Sequence, residues 1–145
     1  MEEENLPENQ KVVVIGGGLI GIEIASKLVD KKNNVIIVEM LDEIARGMEM
    51  IEKTITLKKL NMKDVPVYIN TKVKAVDGDK VYLSGKRQVT LENVDKVVVA
   101  TGMKSYHPLA DELKDKIPVY LIGDAKKVGK AQDAIRDAYV TAIKL

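Results

Sequence analysis

Apolar positions fall in three rhythms along this chain. Val12, Val13, Val14 and Ile15 form a short β-branched run, the pattern of a buried strand. Leu19, Ile22, Ala25 and Leu28 or Val29 then recur at helical spacing and predict an amphipathic helix. Lys31-Lys32-Asn33-Asn34 ends it with basic and left-handed-tolerant residues, and residues 35–38 make a second apolar strand. Residues 64–69 read as a third strand, with Pro66 near its start where a missing N–H is tolerated. The third rhythm is alternation: residues 71–76, 80–83 and 88–91 switch apolar and polar, parted by Asp77-Gly78 and Ser84-Gly85-Lys86. That predicts an antiparallel three-stranded meander. Residues 95–100 and 117–122 are a fourth and a fifth buried strand.

Helices fill the remaining intervals. The second half of residues 40–60 looks helical, with Ile51, Ile55 and Leu57 or Leu60 as its apolar stripe and residues 42–46 as a loop or short turn before it. Residues 108–114 form a short helix. Residues 130–145 form a terminal amphipathic one, with Ala131, Ala134, Ile135, Ala138 and Ala142 on one face. The fold class is α/β: a Rossmann-like parallel sheet flanked by helices, with the meander inserted before the fourth parallel strand. Counting only parallel strands, the expected order is 3-2-1-4-5. The apolar run 117–122 cannot stay solvated and is expected to pair in parallel beside residues 97–100, with the terminal helix covering one face. Residues 1–10 (MEEENLPENQ) are acidic and polar and read as a disordered lead-in, leaving residues 11–145 as the folded domain.

The chemistry sits between the first two strands. Gly16-Gly17-Gly18-Leu19-Ile20-Gly21 follows the first strand at once, opens the helix, and is followed about twenty residues later by Glu39 at the end of the second strand. Strand, glycine turn, helix, strand and acid make the dinucleotide-binding βαβ unit. Gly16 permits the tight turn, Gly18 lets backbone approach a pyrophosphate, and Gly21 lets the helix sit close to the strand. The pyrophosphate would rest on free N–H groups at the helix N-terminus, where the macrodipole adds about half a positive charge. Glu39 would accept hydrogen bonds from an adenosine ribose. It also favours NAD(H) over NADP. A 2′-phosphate about 4 Å from a carboxylate costs on the order of 4 kcal/mol per charge pair at an effective dielectric near 20. Arg46 argues the other way, because it could fold onto a 2′-phosphate; its plainer reading is a solvated helix residue. Met40, with Met48 and Met50, could line a cofactor edge; gap-filling in the core is the simpler role.

Composition narrows the field. The chain has 145 residues, enough for one domain that buries roughly two-thirds of its unfolded surface. Lys and Arg number 23 against 22 Asp and Glu, a balance that gives no footprint for nucleic acid and no polybasic membrane patch. Cysteine is absent and there is one histidine, which excludes disulfides, a redox dithiol and thiolate or His-rich metal sites within these residues. No apolar run approaches a membrane span and the N-terminus is not a signal peptide, so the expected location is cytoplasmic. Phe and Trp are absent, which leaves little stacking surface for bases.

Gly16-Gly17-Gly18-x-x-Gly21-x-Glu23-x-Ala25, with the meander, Ala100-Thr101-Gly102 and Gly123-Asp124, resembles the NAD(P)H domain of the two-dinucleotide flavoprotein reductases. Residues 38–46 and 133–138 are similar in particular to the C-terminal part of the NADH:flavin oxidoreductases related to 2-enoate reductase and 2,4-dienoyl-CoA reductase. The resemblance runs from Lys11 to Leu145. It implies that residues 16–21 bind the pyrophosphate, Glu39 the ribose, and Glu23 lies near the nicotinamide side; the alternative for Glu23 is an exposed helix charge. Ala100, Thr101 and Gly102 form the return crossing near the cofactor. Gly123 and Asp124 touch FAD in the intact parent, and residues 103–145 resemble the C-terminal piece of its FAD domain. In that family the NAD(P)H domain is inserted into the FAD domain, and an FMN-binding barrel with an iron–sulfur cluster lies further upstream. This chain has a single fingerprint, so the resemblance implies a fragment of such a protein or an unusual stand-alone relative, with the FAD and barrel domains as its missing partners.

Three functions remain open on the sequence. The first is an NAD(H)-binding domain that holds NADH for hydride transfer to a flavin, binding without turning over alone. The second is a stand-alone nucleotide-binding or redox-sensing module, which lacks a visible DNA-binding segment. The third is a small complete dehydrogenase, for which Tyr106 and His107 are adjacent but poorly placed to serve one site.

Overall fold

The structure is a computed structural model and describes residues 6–145. It contains two compact units, one running to Gly102 and one spanning Met103–Leu145.

In the first unit β1 (Lys11–Ile15), α1 (Leu19–Asp30), β2 (Asn34–Val38), α2 (Met50–Met62) and β3 (Val67–Tyr68) are followed by the meander β4 (Lys72–Asp77), β5 (Lys80–Ser84) and β6 (Gln88–Leu91), then β7 (Lys96–Val99). The parallel sheet has the order β3-β2-β1-β7, and the meander forms a separate antiparallel sheet. β1 lies between β2, with Val13 beside Ile36, and β7, with Val13 beside Val97.

Strand alternation divides the core. Val12, Val14, Val35 and Ile37 face Ile22, Ala25, Leu28 and Leu60 of the helices. Val13, Ile36 and Val38 face Val81, Leu83, Leu91 and Val94 of the meander. Both faces of β1 and β2 are therefore covered, which is why these strands are apolar without a break. The meander alternates because only its inner face is buried: Val81 and Leu83 point inward while Tyr82 between them is exposed.

Local chemistry sets the element ends. α1 stops at Lys31, and the left-handed residue is Lys32 (φ 61°) rather than either asparagine. Asn33 instead uses its side chain: the amide donates to the Leu28 and Pro7 carbonyls, and its oxygen accepts from Gln10 N–H at 3.0 Å. These bonds tie down the described part of the lead-in, and Leu6 packs on the core. Residues 1–5 of the expected lead-in lie outside the described residues. Lys59 Nζ joins α2 to α1 through Asp30 (2.6 Å) and Ser26 (2.9 Å).

The α2 stripe is a correction. Leu60 is buried and Leu57 packs on the core, but Ile51 and Ile55 face outward, exposed by 68% and 64%. Of Met40, Met48 and Met50, only Met48 is buried.

The second unit holds α3 (Pro108–Leu113), a 3-10 turn at Gly123–Ala125 and α4 (Ala131–Ala142). Pro108 starts α3, where its missing N–H costs nothing. Asp137 of α4 accepts from Gly123 N–H at 3.2 Å and from Lys126 Nζ at 2.6 Å, which anchors the turn to the helix. The expected fifth strand is absent: residues 117–122 carry no strand, and the parallel sheet ends at β7 with four strands. The physical reason lies in composition. A run apolar on both faces needs sheet neighbours, Pro118 removes one ladder donor, and the described residues of this unit contain no other strand. α4 has no fully buried residue, and Ile135 of its expected apolar face is 71% exposed.

Candidate functional site

The glycine turn between β1 and α1 is fixed from three sides. Gly16 has φ 105°, and a Cβ there would overlap the Ala100 carbonyl oxygen at the end of β7. A Cβ at Gly21 would overlap the Gly16 carbonyl oxygen, so the helix starts directly against the turn. A Cβ at Gly17 would come within 2.5 Å of Ile44 Cγ2 and 3.2 Å of Glu39 Cβ. These three glycines are demanded by the protein's own backbone and packing.

Gly18 is different. It has φ −71° and ψ −171°, open to any residue, and a Cβ there would meet nothing within 4 Å. It is the N-cap of α1, with no side-chain cap, and the first turn carries no acid. Ile22 N–H is the first to bond back into the helix, to Gly18 O at 3.0 Å. The N–H groups of Leu19, Ile20 and Gly21 are the orphan donors every helix start leaves. An open space over uncapped donors at the positive end of a helix suits an anion.

Glu39 stands beside this turn at the end of β2, only 8% exposed. Its Oε2 accepts from Gly17 N–H at 2.7 Å and its Oε1 from Leu41 N–H at 2.7 Å. A carboxylate has about four acceptor positions, so two remain for a further donor. Its own backbone bridges β3, donating to Tyr68 O (2.8 Å) and accepting from Thr71 N–H (2.9 Å).

Residues 40–48 fold over the turn. Ala45 N–H donates to Gly17 O at 2.6 Å, while Ala45 is fully buried with φ 56°. Ala45, Ile44 and Leu41 are the positioning residues that sequence reasoning missed, because a left-handed alanine carries no compositional marker. Arg46 is exposed and lies in a turn, not on a helix; its guanidinium reaches Asp42 at 2.8 Å and Glu43 at 3.2 Å. Met40 and Ile20 are exposed beside this loop and turn, and Leu19 is half-buried.

Of the remaining candidates, Ala100 belongs to the site's frame: its N–H donates to Ile15 O at 2.7 Å, and its Cβ lies 3.4 Å from where a Gly21 Cβ would stand. Thr101, Gly102 and Glu23 are exposed. Gly123 and Asp124 lie in the second unit, where Asp124 Oδ1 accepts from Gly129 N–H at 3.2 Å. Tyr106 is 82% exposed, and His107 Nδ1 lies 3.4 Å from Asp111. Among the described residues, no three His, Cys, Asp or Glu side chains converge as a metal site.

Residues 1–138 match the family model for pyridine nucleotide-disulphide oxidoreductases. The chain belongs to that family. Similar proteins include an NADH oxidase from Thermoanaerobacter brockii, 36% identical over an alignment of 141 residues, covering 93% of this chain and 21% of that protein. A cinnamate reductase from Clostridium sporogenes is 36% identical over 148 residues, covering 98% of this chain and 22% of that protein. Among solved structures, a 2-naphthoyl-CoA reductase bound to 2-naphthoyl-CoA shares 27% identity with a TM-score of 0.77, over 99% of this chain and 22% of that one. The chain thus spans about a fifth of the length of the curated relatives it matches. The family implies use of FAD and NAD(P)H. No helix among the described residues is long and apolar enough to cross a membrane.

Proposed function

We propose that the first unit binds NAD(H) at the glycine turn and serves a flavin-dependent oxidoreductase of the enoate and dienoyl-CoA reductase type. The observation that carries this reading is the open space at Gly18, set over the uncapped start of α1 beside a carboxylate with free acceptor positions. The N–H groups of Leu19, Ile20 and Gly21 would hold the pyrophosphate. Glu39 would use its remaining lone pairs for the adenosine ribose hydroxyls, with Met40 at the adenine edge. Glu23 and the 100–102 crossing would flank the nicotinamide side. When bound, reduced nicotinamide supplies a hydride, two electrons with one proton, to a flavin. The protein's part is to bind, orient and exclude water.

Arg46 supports NAD(H) over NADP(H), because Asp42 and Glu43 already take its charge. A 2′-phosphate would meet the Glu39 carboxylate, with Arg46 already paired. The second unit is read as part of an FAD domain completed by other segments of a larger polypeptide. Two observations support this: its boundary at Met103, and the unpaired apolar run 117–122, which needs a sheet to join. The similarity to cinnamate and 2-naphthoyl-CoA reductases supports an unsaturated carboxylate or thioester as the larger protein's substrate.

The test is an NADH fluorescence titration of the chain and of Gly18→Val. A Cβ at this position meets no protein atom within 4 Å, so the melting temperature is expected to hold while affinity falls more than about tenfold, the loss of at least one charge-assisted hydrogen bond. Equal affinity in the two proteins would overturn the site.

A further inference from the structure

α2 presents two opposed apolar stripes. Leu57 and Leu60 face the core. Ile51, Ile55 and Met62 face solvent at 68%, 64% and 73% exposure. The outer residues, with Lys58, recur at spacings of four, three and four, so they lie on one line along the helix. A helix with one covered side ordinarily carries polar residues on the other, and three large apolar side chains in line are not the scattered exposure normal for a surface.

Charge on the helix differs between its ends. The N-terminal end carries Glu49, Glu52 and Lys53, the last paired with Glu43 at 3.4 Å, and the C-terminal end carries Lys58, Lys59 and Lys63. Glu49 caps the helix start through Ile51 and Glu52 N–H, and Lys59 is held by Asp30 and Ser26. Glu52 and Lys63 are exposed and flank the stripe at opposite ends.

We propose that α2 docks on α2 of a second copy of this chain, antiparallel about a two-fold axis. In that arrangement Ile51 lies opposite Met62 of the second copy, and Ile55 packs under the methylene stem of its Lys58. Glu52 of each copy meets Lys63 of the other, giving two reciprocal ion pairs, and the helix dipoles oppose. In a parallel pairing about a two-fold along the helices, Glu52 and Lys63 of the two copies lie on opposite flanks of the seam and form no such pairs. Charge complementarity therefore favours a second copy in the antiparallel direction. A helix of 13 residues is about 20 Å long and buries less than the roughly 800 Å² per partner of a standard interface, so association is weak.

Sedimentation velocity of the full chain across about 10 µM to 1 mM tests this. A monomer–dimer equilibrium is expected, abolished by Ile55→Lys. Glu52→Lys and Lys63→Glu each weaken self-association about tenfold by replacing attraction with repulsion at both pairs. An equimolar mixture of those two variants associates at least as well as the parent chain. All three positions are exposed, so unchanged melting curves confirm that folding is intact. A chain monomeric throughout overturns the proposal. So does a dimer indifferent to Ile55→Lys, or a mixture no stronger than its components.

Discussion

Glu39 Oε2 accepts a hydrogen bond from Gly17 N–H at 2.7 Å, across 22 residues of sequence. The acid that ends β2 therefore shapes the glycine turn at the end of β1, before any ligand is considered. Leu41 N–H holds the other oxygen at 2.7 Å, and Ala45 N–H holds the Gly17 carbonyl at 2.6 Å. Turn and acid form one backbone-locked unit, the kind of support that fixes a binding geometry in advance.

Replacing Glu39 should for that reason cost stability as well as affinity. In Glu39→Gln an amide NH₂ faces one of two backbone N–H groups, so one charge-assisted bond is lost without replacement. The expected destabilisation is about 2 kcal/mol, read from urea unfolding without nucleotide. A ribose contact alone would leave the nucleotide-free chain as stable as before.

The glycines should separate into two classes. Gly21→Ala drives a methyl into the Gly16 carbonyl, and Gly16→Ala drives one into the Ala100 carbonyl at a φ of 105°. Both should lower stability by more than about 3 kcal/mol, since the backbone must move. Gly18→Ala should melt within a degree or two of the parent chain. Thermal unfolding followed by circular dichroism distinguishes them.

The meander should be coupled to the parallel sheet through Leu83, which is 2% exposed and packs with Val13, Ile36 and Val38. Leu83→Ala should destabilise by about 2–5 kcal/mol. Thr90, on the outer face of β6, should tolerate alanine with a change within about 0.5 kcal/mol. Urea denaturation of both variants gives the comparison.

Asp137 gives the second unit a pH dependence. Its hydrogen bond from Lys126 is the leading cause that lowers its pKa from the ordinary 3.8, with the Gly123 N–H acting the same way. A depressed carboxyl stabilises the folded form when ionised. The contribution is complete above the ordinary carboxylate value and is lost as pH falls below 3.8 through the folded value. The Gly123 amide resonance should shift in that acid range, and the shift should vanish in Asp137→Asn.

The βαβ unit was readable from sequence because its signals agree: β-branched runs, a helical stripe, glycines at fixed offsets and an acid after the second strand. The meander was readable because period two is unambiguous when one face is buried. Residues 117–122 misled because an apolar run reports that a strand needs covering, not which sheet covers it. Ile51 and Ile55 misled for a related reason, since helical spacing cannot tell a core stripe from a second apolar face on the same helix. The Glu39–Gly17 bond and the buried left-handed Ala45 depend on three-dimensional closure of residues 40–48, and no local pattern encodes them.

The most direct test of the nucleotide site is an amide-shift NMR titration of the chain with NADH and, separately, NADPH. The account predicts that NADH moves the amides of Gly17, Gly18, Leu19, Ile20, Gly21 and Leu41 at lower concentration than NADPH does. A folded chain whose residue 16–21 amides ignore NADH, or respond to NADPH first, would contradict it.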